Sequence, residues 1–179
     1  EDVYTRYRVM LDVVKFHGDK SEKVSLLDFG CGTAHLKEYI IANKLEHIDY
    51  AGLDISPKFV EASKAKFPGT GFYCVDILKT PDELPRFDYI VMNGVFTEKR
   101  EMTFEEMFSF FQLMLEKVFA HANKGIAFNA MSKAVDWERG DLFHLPTDLL
   151  INFLTKKLTR NFIIRNDYGL YEYTTYVYK

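Results

Sequence analysis

Three acids and a pair of glycines in this chain have types and positions that suit ligand binding. Asp28 ends an apolar run in "SLLDFGCG", and Gly30, Cys31 and Gly32 follow it. Asp54 ends a second such run in "AGLDIS", and Asp76 ends a third in "YCVDIL". A fourth, "FDYIVMNGVF", carries Asn93 and Gly94. Glycine after a strand lets the backbone turn tightly and lets a ligand approach with no Cβ in the way. Carboxylates accept hydrogen bonds from hydroxyl and amine groups.

Three ligand classes compete for such a turn. A phosphate loop needs G-x-x-x-x-G-K followed by Ser or Thr, and no lysine stands at that place after Gly30. A dinucleotide fingerprint needs a third small residue. His35 stands there, and its bulk is expected to obstruct close helix–strand packing. The third class, S-adenosylmethionine, carries no phosphate. It needs a glycine turn for its methionine arm, a carboxylate for its ribose hydroxyls and an apolar slot with one polar edge for adenine. Asp28, Asp54 and Asp76 supply acids at the ends of three successive strands.

The elements that must position these residues follow from periodicity. Residues 2–17 have apolar positions at helical spacing, including Val3, Tyr7, Met10, Leu11, Val14 and Phe16. Strands are expected at "VSLLDF", "IDYAGLDI", "TGFYCVDI", "FDYIVMNGVF" and "KGIAFNAM". Helices are expected at 33–45, with Ile41 facing inward, at 56–67 and at 104–121. Ser56 is expected to cap the second of these ahead of Pro57, leaving Asp54 free for a ligand. Thr103 and Glu106 fit a capping box for the third. A helix at 146–158 and two closing strands, joined by a turn at Gly169, complete the chain. Five successive strand–helix units and a final hairpin imply an α/β fold, a doubly wound and mostly parallel sheet of seven strands. One domain spans 1–179, with an N-terminal helix and linker over 1–22 and the core over 23–179. Ligands of such sheets bind beyond the C-terminal strand ends, at the switch in strand order.

"LLDFGCGTA", "GLDIS", "VDIL" and "FDYIVMNGVF", in that order, resemble the successive motifs of class I S-adenosylmethionine-dependent methyltransferases. The resemblance runs from about residue 24 to the end, and the second half is similar to small bacterial members of unclear substrate. It implies a Rossmann-like fold whose last hairpin strand is antiparallel. It also implies that Gly30, Cys31 and Gly32 line the methionine arm and that Asp28 helps hold its amino group. Asp54 would accept from the ribose hydroxyls. Ile55 and Ile77 would flank adenine, with Asp76 near its amino group. Asn93 and Gly94 would face the reacting methyl, and Arg6 or Tyr7 would close over the carboxylate.

His144 lies in the long connection after the fifth strand, at the ligand end, where loops carry function. It is the candidate general base for a hydroxyl acceptor, with Glu138 or Asp141 behind it. Trp137 and Arg139 share that loop, to line a pocket or to pack it. The Phe and Met stripe of 104–119 reads as core.

The formal net charge is −3 and no basic stripe is present, which argues against a nucleic-acid partner. Two cysteines, Cys31 and Cys74, show neither disulfide nor metal-ligand spacing. No run approaches a membrane span and no signal peptide is visible, so a reducing, cytoplasmic location is expected. The chain starts at Glu1 rather than Met, as if trimmed. The fourth motif lacks the Pro-Pro of families that methylate exocyclic amines. A small-molecule acceptor offering an oxygen is therefore expected. A protein or RNA acceptor, and a module that holds the methyl donor without turning it over, are the alternatives. The oligomeric state is left open.

Overall fold

The structure, a computed structural model, describes residues 2–15 and 22–179. Helix α1 (Asp2–Leu11) runs into a short 3-10 turn at Asp12–Val14. Then β1 (Val24–Phe29), α2 (His35–Ala42), β2 (Ile48–Leu53), α3 (Pro57–Lys66) and β3 (Gly71–Tyr73) alternate. After them come β4 (Phe87–Phe96), α4 (Phe104–His121), β5 (Ala122–Met131), α5 (Thr147–Phe153), β6 (Phe162–Arg165) and β7 (Glu172–Tyr178). The seven strands form one sheet in the order β3-β2-β1-β4-β5-β7-β6. Pairing is parallel from β3 to β5, and β7 runs antiparallel to both β5 and β6. This is the expected doubly wound sheet with a reversed hairpin strand.

Strand alternation divides the apolar residues between two cores. Leu27, Ile90 and Phe128 face α4 and α5. Leu26, Tyr89 and Val91 face α1, α2 and α3. The tyrosines of β7 hold α1 to the sheet. Tyr176 donates to the carbonyl of Val9, and Tyr178 donates to that of Val13 at 3.0 Å. The Tyr-rich end is therefore an anchor as well as a strand.

Several boundaries differ from expectation. β3 stops at Tyr73 because its one partner, β2, has no residue beyond Leu53 to pair with it. Asp76 thus lies in the loop after the strand rather than at its end. The connection between β3 and β4 is a loop with one 3-10 turn, Pro81–Glu83. In α2 the inward ridge is Leu36 and Ile40, one turn apart, and Ile41 is 56% exposed. Val3 faces out. Phe16 lies outside the described residues. The capping box of Thr103 and Glu106 forms in both directions.

Candidate functional site

The chain leaves β1 toward β2 and β3, then returns to place β4 against the other side of β1. That reversal opens a crevice at the C-terminal strand ends. Gly30 turns there with φ +79°, and a Cβ on it would lie 3.1 Å from Val95. The amides of Gly30 and Cys31 donate to the Leu53 carbonyl at 2.8 and 2.9 Å, pinning the turn to the end of β2.

Asp54 completes that junction. One carboxylate oxygen accepts from the Gly32 amide at 2.9 Å, the other from the Ser56 amide at 2.9 Å. The expected cap is corrected by this contact. The Ser56 hydroxyl makes no capping bond, and Asp54 itself braces the start of α3. Each oxygen keeps acceptor capacity, and Asp54 borders a cavity of about 330 Å³ with Ile55, Asp76, Ile77 and Val95. Ile55 is 68% exposed beside it. Asp76 accepts from the Leu78 amide at 3.1 Å. The Lys79 ammonium, 3.0 Å away, holds its carboxyl below the usual range. Phe110 and Met114, one turn apart on α4, close the far wall.

A second cavity, about 280 Å³, is bordered by Asp28, Gly30, Cys31, Gly32, Tyr7 and Asn93. Asp28 is buried on the α1 side of the sheet and accepts from the Tyr50 hydroxyl at 2.9 Å. Burial pushes its carboxyl up to about 7. Burial likewise pushes the Cys31 thiol up to about 12, so Cys31 is no nucleophile at neutral pH. Asn93 Oδ1 is buried and has no hydrogen-bond partner among the described residues.

A third cavity, about 360 Å³, shares Tyr7 and Asn93 with the second. Gly94, at φ +77°, lies where the β4–β5 register slips between Met92 and Phe96. The bulge turns the strand end toward this cavity. A buried relay holds it: the Gly94 amide donates to Asn129 Oδ1 at 2.8 Å, and Asn129 Nδ2 donates to Glu172 at 3.0 Å. Arg6 Nε then reaches Glu172 at 2.9 Å. The relay joins α1, β7, β5 and β4. Arg6 is thus committed to Glu172, and Tyr7 is the α1 residue that borders the second cavity.

His144 lies apart from this group. It is buried in the wall of a neighbouring cavity of about 220 Å³ with Trp137, Arg139 and Met131. Glu138 pairs with Lys133 and Asp141 with Arg139, all of them well exposed. His35 is also exposed, bonded to Glu38 and Thr33. Its bulk obstructs nothing. The residue packed beneath α2 is Ala34, fully buried at φ +60°. The steric reason offered against a dinucleotide is therefore corrected.

Sequence reasoning missed Tyr50, Asn129, Glu172, Phe110 and Met114. Asn129 left one signal, an amide inside the apolar run "GIAFNAM". Phe110 and Met114 left another, a second ridge beside the core stripe. Glu172 gives none, since its partners come from distant segments.

The sheet order and the reversed β7 are the fold of the class I methyltransferases. The family described as "Methyltransferase domain" matches residues 27–115. A protein of Mycobacterium tuberculosis named as a methyltransferase, Rv1506c, is 27% identical over 164 residues, 89% of this chain and 95% of its own length. Magnesium protoporphyrin IX methyltransferase of Synechocystis, solved with S-adenosylmethionine, superposes with a TM-score of 0.64 at 16% identity, over 98% of this chain and 78% of that one. The plantazolicin methyltransferase BpumL, solved with a desmethyl analogue and S-adenosylhomocysteine, gives 0.66 at 17% identity, over 99% and 84%. Human N-acetylserotonin methyltransferase gives 0.70 at 15%, over 97% and 51%. The chain thus carries a methyltransferase-domain match over residues 27–115 and shares its fold with the class I methyltransferases.

Proposed function

We propose that the chain transfers a methyl group from S-adenosylmethionine to an oxygen of a small molecule. The observation that carries this reading is the pair of cavities that meet at Tyr7 and Asn93. One holds the methionine arm and the other admits the acceptor. The residues present fit the donor. Asn93 Oδ1 is a buried acceptor lacking a partner, suited to the arm's ammonium beside Asp28. Gly30 keeps its approach open, Gly32 and Cys31 line it through their backbone, and Asp54 takes the ribose hydroxyls. Ile55 and Ile77 flank adenine, with Asp76 at its edge.

When bound, S-adenosylmethionine supplies a methyl group already activated by its sulfonium. The chain's own task is alignment and exclusion of water. Gly94, fixed by Asn129, shapes the floor at the meeting point, and Tyr7 on α1 closes the roof. The proton of a hydroxyl acceptor has a carboxylate at this rim, Glu98, whose contact with Arg100 is long at 3.7 Å. Glu98 is better placed for that role than His144, which borders the next cavity.

The acceptor cavity, about 360 Å³, suits a small molecule. The three structural neighbours named above are each named for such an acceptor. Radiolabel transfer from S-adenosylmethionine into a metabolite extract tests the proposal, and label is expected in small molecules. Label confined to protein or RNA would replace the acceptor class. Thermal stabilisation by the donor with no transfer anywhere would favour the non-catalytic module. A Glu98→Gln variant should lower kcat with little change in KM.

A further inference from the structure

The cavity beside the acceptor site has no part in that reading. It measures about 220 Å³ and shares Met131 and Leu142 with the acceptor cavity. Trp137 and Tyr171 border it, 75% and 66% exposed. Two exposed rings bordering one concave site form apolar surface of the kind found in ligand-binding grooves. Among the described residues neither pairs with another ring, unlike Phe96, Phe111 and Phe128 inside the molecule.

The walls are built rather than loose. The Phe143 amide donates to the Thr97 carbonyl at 2.8 Å and the Leu145 amide to Met131 at 3.1 Å. The Ser132 amide donates to Tyr171 at 3.0 Å. These bonds tie the connection after β5 to the ends of β4 and β7. Lys133 pairs with Glu138 and Arg139 with Asp141, and Asp136 also borders the cavity. Most of the remaining lining, Met131, Val135, Trp137, Leu142 and Tyr171, is apolar or aromatic.

His144 adds a polar requirement. It is 5% exposed, and its Nδ1 donates to the Ser132 carbonyl at 2.6 Å. In the neutral ring that bond puts the hydrogen on Nδ1 and leaves Nε2 as an acceptor. Nε2 is buried with no partner, and such an atom carries a desolvation cost that a ligand's O–H or N–H would offset.

We propose that this cavity binds the body of the methyl acceptor, a planar aromatic ring system carrying a hydrogen-bond donor. Its ring faces lie against Trp137 and Tyr171, and its donor meets His144 Nε2. The reacting oxygen then reaches past Met131 and Leu142 toward Gly94. The proposal rests on the acceptor reading of the Gly94 cavity. Flat aromatic partners gain from ring stacking beyond the area they bury. The volume exceeds the roughly 150 Å³ cavity that takes benzene, so one or two fused rings fit.

Trp137 is the chain's single tryptophan, so its emission reports on this cavity alone. The test titrates 2-naphthol into the full chain saturated with S-adenosylhomocysteine, following heat and Trp137 emission. Binding with a change in emission is expected. The methyl ether of 2-naphthol, lacking the donor, and its saturated decalin counterpart, lacking the ring face, should each bind about tenfold more weakly. Trp137→Ala, a surface change, should weaken 2-naphthol about tenfold while S-adenosylhomocysteine binds as before. His144→Phe should abolish the preference for naphthol over its ether. No binding of 2-naphthol, equal binding of all three probes, or binding indifferent to Trp137→Ala would overturn the proposal. In each of those cases, retained S-adenosylhomocysteine binding leaves the methyl-donor reading standing. Loss of that binding in the unmodified chain marks the donor reading as the one that failed.

Discussion

In the proposed reading, the Asp54 carboxylate serves both structure and ligand. Its oxygens already accept from Gly32 and Ser56, so the acid that would meet the ribose also braces the glycine turn. Asp54→Ala should therefore lose both. Affinity for S-adenosylhomocysteine should fall by about 1.5–3 kcal/mol, the range for hydrogen bonds to a charged group. The melting temperature of the free protein should fall as well. Asp54→Asn keeps the shape and should cost less on both counts. Calorimetry and thermal melts check this, and unchanged affinity in the alanine variant would remove Asp54 from the ribose site. Asp28 makes a different prediction. Burial favours its neutral form and sets its pKa near 7, above the roughly 3.9 of an unfolded chain. The stability this gives is full below about pH 4 and is lost as pH rises through about 7. A ligand ammonium prefers the ionised form, so donor affinity should run the other way. It should rise about tenfold between about pH 6 and pH 8. Asp28→Asn should flatten the profile, and a flat wild-type profile would detach Asp28 from the methionine arm.

At the scale of elements, the candidate site depends on a chain of contacts across several strands. The bulge of β4 is held by Asn129 on β5, which is held by Glu172 on β7, which takes Arg6 from α1. Asn129→Ala would strip partners from a backbone amide and a buried carboxylate. Each unsatisfied group costs about 1–3 kcal/mol, so denaturant melts should show a loss of at least that size. Asn129→Asp should be worse at neutral pH, where two buried carboxylates would face each other, and should recover as pH falls. Equal stability of the two variants at neutral pH would show that the relay is not carrying the bulge. The same logic explains the tyrosines of β7. Tyr176 and Tyr178 spend their rings on the core and their hydroxyls on carbonyls of α1 and of the 3-10 turn after it, which keeps Tyr7 over the second cavity.

At the scale of the whole molecule, ligand and fold are linked. The proposed donor site joins the ends of β1, β2 and β4 to the loop after β3, so occupancy should stabilise the sheet as a unit. At a hundred times its dissociation constant a ligand adds about 2.7 kcal/mol. For a chain of this size that corresponds to a rise of about 5–10 °C in melting temperature. S-adenosylhomocysteine should give that rise and NAD should give none. A comparable rise with NAD would reopen the dinucleotide reading, all the more because His35 proved to be no obstacle.

Much of this protein was legible in one dimension because the signals are local. Strand and helix periods, the Thr103–Glu106 cap and the glycines between Asp28 and Asp54 depend on residues a few positions apart. They sufficed for a doubly wound sheet, a reversed last strand and the kind of ligand at its switch point. Ile41 and the end of β3 were misread because burial and strand length depend on partners, not on pattern. Ser56 was misread because Asp54 took the amide contact at the start of α3. Only the tertiary structure could place Glu172 beside Arg6, 166 positions away, or bring Phe110 and Met114 into one cavity wall with Asp54 and Asp76. Only it could set His144 in a separate cavity with Trp137 and Tyr171. Local sequence determined which backbone segments form and where they must turn. The meeting of side chains from α1, β5, β7 and the loop between β5 and α5 arises from packing those segments together, and no short-range pattern encodes it.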